Sequence, residues 1–128
     1  MYNPYDTDNE LAPASITEQI RGLNDEFRTQ PLLIGPALAA NQLVVTSGVA
    51  AQGSDFIDRA VSAVRRYRNF GPDNDPYGEH DFGIFELDGQ TLNWKIDYYD
   101  RLLEWGSPDP ADPAVTRRVL TILLAEEY

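Results

Sequence analysis

The spacing of apolar positions changes along the chain, and each change marks an element. Residues 1–14 hold Pro4 and Pro13 among scattered acids with no recurring apolar position, which predicts a flexible or surface-laid acidic arm. Ser15 followed by Glu18 has the form of a capping box. Ile16, Ile20, Leu23 and Phe27 then recur at helical intervals until Gln30 and Pro31 end the pattern. Residues 31–40 read as an irregular connector. From Leu43 to Val49 the β-branched Val44, Val45, Thr46 and Val49 predict a strand. Gly53, Ser54 and Asp55 prepare a second helix with Ile57, Ala60, Val61 and Val64 on its buried side, closed by Arg65, Arg66 and Arg68 where positive charge suits the helix dipole.

Residues 70–81 are rich in turn formers, and they lead into the clearest hairpin signal in the chain. Asp88-Gly89 is a two-residue turn between Phe82–Leu87 and Gln90–Tyr99. That loop sets Leu87 against Gln90, Phe85 against Leu92 and Gly83 against Trp94. Phe85, Leu92, Trp94 and Ile96 then share the buried face, with Gly83 making room beside the indole. Phe82, Ile84, Asn93 and Lys95 take the other. Carried two residues further, the same register places His80 opposite Asp97. After the rigid turn Gly106–Pro110, Asp112 is a good N-cap and Pro113 suits a first helical turn. Val115, Val119, Ile122 and Leu123 form one face, widened by Leu120 and Leu124, so a well-buried C-terminal helix is expected. The sum is an α+β domain over residues 15–128: a small antiparallel sheet containing a central hairpin, packed against about three helices.

Charge adds a functional question to this picture. Ten basic and 21 acidic residues give a net charge of −11, which opposes direct contact with nucleic acid or an anionic membrane. Eleven of the acids lie between residues 73 and 112, against Lys95 and Arg101 alone. The chain has no cysteine and no apolar run long enough to span a bilayer, so a cytoplasmic protein without disulfides or thiolate metal sites is expected.

Candidate chemistry is sparse. Asp75, Glu79, His80, Asp81, Asp97 and Asp100 offer oxygen ligands and one imidazole of the kind a divalent metal takes, and His80 beside Asp97 would make an acid-base pair. No metalloprotease, calcium-loop or phosphate-loop spacing accompanies them. Ser47, Ser54, Ser62 and Ser107 lie on no nucleophile elbow, and Gly48 and Gly53 lack dinucleotide-binding spacing. A structural hydrogen bond is the plainer role for His80, and no cofactor or bound metal is expected.

Three separated stretches carry a family resemblance. They are Asn74-Asp75-Pro76-Tyr77-Gly78-Glu79-His80-Asp81-Phe82-Gly83, then Trp94-Lys95-Ile96-Asp97-Tyr98-Tyr99-Asp100, and, with Gly106–Pro110, the run from Arg118 to Tyr128. Over roughly residues 21–128 the chain resembles an uncharacterised family of small acidic bacterial proteins, common in alphaproteobacteria and often carried on mobile elements. The resemblance implies no assigned activity; carriage on mobile elements favours a role against or beside host machinery over core metabolism.

These observations lead to an expectation of a noncatalytic inhibitory or regulatory binding protein. Its carboxylates would imitate nucleic acid and block a basic protein surface, such as a host defence complex of the CRISPR kind. The expected contacts are Asp73, Asp75, Glu79, Asp81, Asp97, Asp100, Glu104 and Asp109. His80, Gly83, Trp94, Asp112 and Pro113 are expected to serve the fold. Exposed strand edges permit a homodimer without requiring one. The alternative is a small divalent-metal-dependent hydrolase built on Glu79-His80-Asp81 and the segment from Asp97 to Asp100.

Overall fold

A computed structural model of the protein describes residues 14–29 and 41–128. The expected arm, except Ala14, and the connector over 31–40 lie outside the described residues. Helix α1 spans Ile16–Thr29, strand β1 Gln42–Val45, the one-turn helix α2 Ser47–Ala50 and helix α3 Ser54–Arg66. Strands β2 (Phe82–Leu87), β3 (Gln90–Tyr99) and β4 (Arg117–Leu124) follow, and a 3-10 turn spans Ala125–Glu127. The strands form one sheet in the order β1-β4-β3-β2, antiparallel except that β1 runs parallel to β4. The fold is α+β, with its helices packed on a sheet that contains the expected hairpin.

The hairpin has the register the turn dictates. Asp88 and Gly89 both have positive φ, at 52° and 75°, as a type I′ turn requires. Gly83 lies opposite Trp94 and Phe85 opposite Leu92. A Cβ on Gly83 would run into the indole of Trp94 and the ring of Tyr67, so this position holds glycine for space. Trp94, fully buried, joins Leu92, Ile96, Leu120, Ile122 and Leu124 from the sheet and Val49, Phe56, Ala60 and Val64 from α2 and α3.

The expected C-terminal helix is instead strand β4. Arg118, Leu120, Ile122 and Leu124 alternate onto the helix-covered face, with Arg118 opposite Tyr98 and Ile122 opposite Trp94. The strand is central, and Leu123 is buried on the opposite face. The run is therefore apolar on both sides and mimics helical spacing. Asp112 and Pro113 start no helix: the Asp112 carboxylate accepts the Ala114 N–H at 2.9 Å and closes a turn. The first strand is shorter than expected, because Ser47–Ala50 turns helical after Thr46.

Helix α1 starts where the capping pattern placed it, with Ser15 Oγ accepting the Glu18 N–H at 3.1 Å. Its buried side differs from the apolar stripe. Ile16 is exposed, Leu23 and Phe27 are half-buried, and the fully buried residues are Ile20, Asn24 and Arg28. This polar face builds the site described next.

Candidate functional site

Arg21, Asn24, Asp25 and Arg28 fall on one side of α1 at helical spacing, and every one of them reaches a distant partner. Arg21 Nε donates to Gly78 O at 2.6 Å. Asn24 Nδ2 donates to Glu79 O at 3.0 Å and to the Tyr98 hydroxyl at 2.8 Å. Its Oδ1 accepts Arg118 Nε at 2.7 Å. Arg28 Nη1 donates to Val64 O at 2.7 Å and Tyr67 O at 2.9 Å, capping the carbonyl end of α3. Helix α1 is thus fastened to the loop over residues 67–81 chiefly by side-chain hydrogen bonds.

His80 lies at the centre of that loop. Its Nδ1 is 3.0 Å from both carboxylate oxygens of Asp25, its Nε2 is 3.7 Å from Asp75 Oδ2, and its ring stacks on Phe70 at 3.7 Å. The backbone N–H of His80 donates to Asp75 Oδ1 at 3.0 Å, and Asp75 is only 8% exposed. The expected pairing with Asp97 does not occur. Ladder pairing ends with the Ile96 N–H on Asp81 O, and the positive φ of His80, 56°, turns the chain off the strand direction. Asp97 faces the other side of the sheet and pairs with Lys95 Nζ at 3.1 Å.

Beyond Ile96 the helix-covered layer changes from apolar to polar. The Tyr98 hydroxyl donates to Glu79 Oε1 at 2.7 Å, and burial, then this carboxylate, push its pKa up. Arg118, 2% exposed, lies over the Tyr98 ring and donates to Pro110 O as well as to Asn24. Burial pulls its pKa down, opposed by the charge of Glu79. Asp81 is half-buried beside this group. Its carboxyl is raised above the usual range by burial first, then by Glu79, Asp75 and Asp97.

The arrangement concentrates perturbed groups, yet it spends them on one another. Tyr98 and Arg118 hold Glu79 and Asn24, and the histidine ring is clasped between Asp25 and Asp75. Among the described residues no three His, Asp or Glu side chains are placed to hold a metal ion. Of the eight carboxylates expected at a partner, Asp73, Glu104 and Asp109 are exposed, while Glu79, Asp81, Asp97 and Asp100 are half-covered. Asp75 is excluded as a surface contact by its burial. Asp100 accepts the N–H groups of Leu102 and Glu104, at 3.1 and 3.0 Å, and so organises its own turn.

The two ends of the sheet region meet through one carboxylate. Glu127 accepts the Thr46 hydroxyl at 2.6 Å, the Gly48 N–H at 3.1 Å and the Leu124 N–H at 2.9 Å. The same span is what comparison with known proteins picks out: residues 45–127 match the family described as Protein of unknown function (DUF3768). The chain belongs to this family. No curated protein and no solved structure matches the chain. The DUF3768 region contains the loop, the hairpin and β4, so His80, Glu79, Asp81, Tyr98 and Arg118 all lie within it. Helix α1, which supplies Asn24, Asp25 and Arg28, precedes the matched residues.

Sequence reasoning singled out His80, Glu79 and Asp81 but missed the partners that complete the cluster. The available signal was the Arg21, Asn24, Asp25, Arg28 spacing, a polar stripe on the same helix as the apolar one. Arg118 had no such signal, because an arginine pair leading into a run of Val, Leu and Ile reads as solvent-facing.

Proposed function

We propose that this protein is a noncatalytic regulatory or inhibitory binding module of the cytoplasm that engages a basic surface of another protein. One observation carries the reading: the side chains of the buried cluster, Arg28 Nε apart, are bonded to one another or to backbone carbonyls, whereas Asp73, Glu104 and Asp109 stand exposed in a chain of net charge −11. A catalytic acid or base needs access to a substrate proton. His80, stacked on Phe70 and flanked by Asp25 and Asp75, is committed to joining α1 to the loop. Exposed carboxylates on turns held by hydrogen bonds suit electrostatic recognition of a cationic partner.

Within this reading, a short acidic contact has more support than imitation of a phosphate backbone. Asp75 is buried, Asp97 is paired with Lys95, and Asp100 is bound within its turn. The test is affinity capture from native cell extract in moderate and in high salt, followed by titration of the purified partner. A basic protein released by salt is expected, and it should bind several-fold more weakly to a chain carrying Asp73→Asn, Glu104→Gln and Asp109→Asn. Equal affinity for the neutralised and native chains at equal folded fraction would remove the acidic surface from the account.

A further inference from the structure

Strand β3 leaves the sheet into a turn at residues 100–105 that is more ordered than a connection needs to be. Four hydrogen bonds converge on Asp100, two on its backbone and two on its carboxylate. Its N–H donates to Trp105 O at 2.8 Å, its carbonyl accepts the Leu103 N–H at 3.1 Å, and its carboxylate accepts the Leu102 and Glu104 N–H groups. Leu103 adopts a φ of 59°, and Tyr99 bridges to Gly106 at the base. Arg101 Nη1 donates to Ala114 O at 2.9 Å, tying the turn to the segment before β4. This ordered turn displays Leu102 and Trp105, each 74% exposed.

The described residues cover little of these two side chains, and keeping a leucine and an indole in water is unfavourable. Here two large apolar side chains project from one rigid turn. Tryptophan is the residue most often found as an interface anchor, and an anchor held in place before contact loses little conformational entropy on binding. The charge around it limits the partner. Glu104, adjacent to Trp105, is exposed with no side-chain bond among the described residues, while the one cation of the turn, Arg101, is held on Ala114 O.

We infer that the 100–105 turn is the anchoring element of a protein-binding surface. Leu102 and Trp105 enter an apolar pocket on a partner protein whose rim carries lysine or arginine facing Glu104. The inference rests on the binding role proposed above and names where and what that role engages. Asp100 is a positioning residue: it holds the turn, and the two apolar side chains make the contact.

The test uses the full purified chain and a phage-displayed random peptide library as the probe. The chain has two tryptophans, and Trp94 is fully buried, so a blue shift in emission on titrating a selected peptide reports Trp105 leaving water. Enriched peptides should combine lysine or arginine with apolar residues and produce that shift. Trp105→Ala and Leu102→Ala should each weaken them about tenfold or more, with little change in melting because each side chain is largely exposed. Asp100→Ala, which frees the turn, should weaken binding more than Asp100→Asn, which keeps an acceptor and loses only charge. Peptides bound equally well by Trp105→Ala and Leu102→Ala overturn the inference. If those peptides lose affinity when Asp73 and Asp109 are neutralised, the acidic-surface reading stands alone; if no peptide is enriched, or the enriched ones are acidic, both readings fall. Dimerisation of the chain that Trp105→Ala abolishes would assign the turn to a second copy and overturn the heterologous partner.

Discussion

Arg28 is the side chain whose loss should be felt furthest from its own position. Its guanidinium lies 5.3 Å from the ring centres of both Phe70 and Trp94 while Nη1 holds the last carbonyls of α3. Arg28→Met keeps the bulk and strands those carbonyls, so stability to urea should fall by about 2–3 kcal/mol. Arg28→Lys should recover little, since an ammonium lacks the planar fork that spans them. A methionine variant within about 0.5 kcal/mol of the native chain would refute this capping role. Two carboxyls should act oppositely on the pH dependence of stability. Glu127 is held below its ordinary value of 4.5 by the Thr46 hydroxyl first and then by the Leu124 N–H. Its contribution is therefore complete above that value and is lost as pH falls through the folded-state value. Asp81 is raised above 3.8 by burial and neighbouring carboxylates, so between 3.8 and its folded-state value the native chain binds the extra proton and stability falls as pH rises. Glu127→Gln should flatten the acid limb of a stability-pH profile measured by chemical denaturation, whereas Asp81→Asn should steepen it. Profiles parallel to the native one would show that neither group is linked to folding.

Among the elements, the hairpin was legible because its information is local: Asp88-Gly89 sets the turn, and the turn sets which residues face each other. The close approach at Gly83 follows from that register. Gly83→Ala should cost about 1–3 kcal/mol, since the new methyl must displace Trp94 and Tyr67, and the near-ultraviolet signal of Trp94 should change with it. An unchanged melting temperature would mean the indole has somewhere to move. Strand β4 was not legible, because a central strand loses the alternation that marks a half-exposed one, and Arg118 interrupts its buried face. Asp112 misled for a related reason: an aspartate whose carboxylate accepts an N–H two residues on serves a turn as well as a helix start. In α1 the apolar spacing located the helix correctly, but the choice between its two stripes depended on Glu79, Tyr98 and His80, which are distant in sequence.

At the scale of the molecule, fold class followed from pattern while the candidate site did not, because the site is made of long-range pairs. His80 illustrates the difference: its neighbourhood in sequence is acidic, yet the carboxylate that takes its Nδ1 lies on a helix 55 residues earlier. The sheet carries the same property in its strand order. β4, last of the four in sequence, lies between β1 and β3, so neither β1 nor the exposed side of β3 has its neighbour until the end of the matched region exists. During synthesis the chain can close the β2-β3 hairpin early, but β1 must wait for about seventy further residues before it has anything to pair with. Until then the backbone edges of β1 and β3 that β4 will pair remain open. The nascent chain is thus most vulnerable to aggregation and proteolysis just before β4 emerges from the ribosome, and a premature stop in β4 should yield a product that is degraded rather than a smaller folded domain.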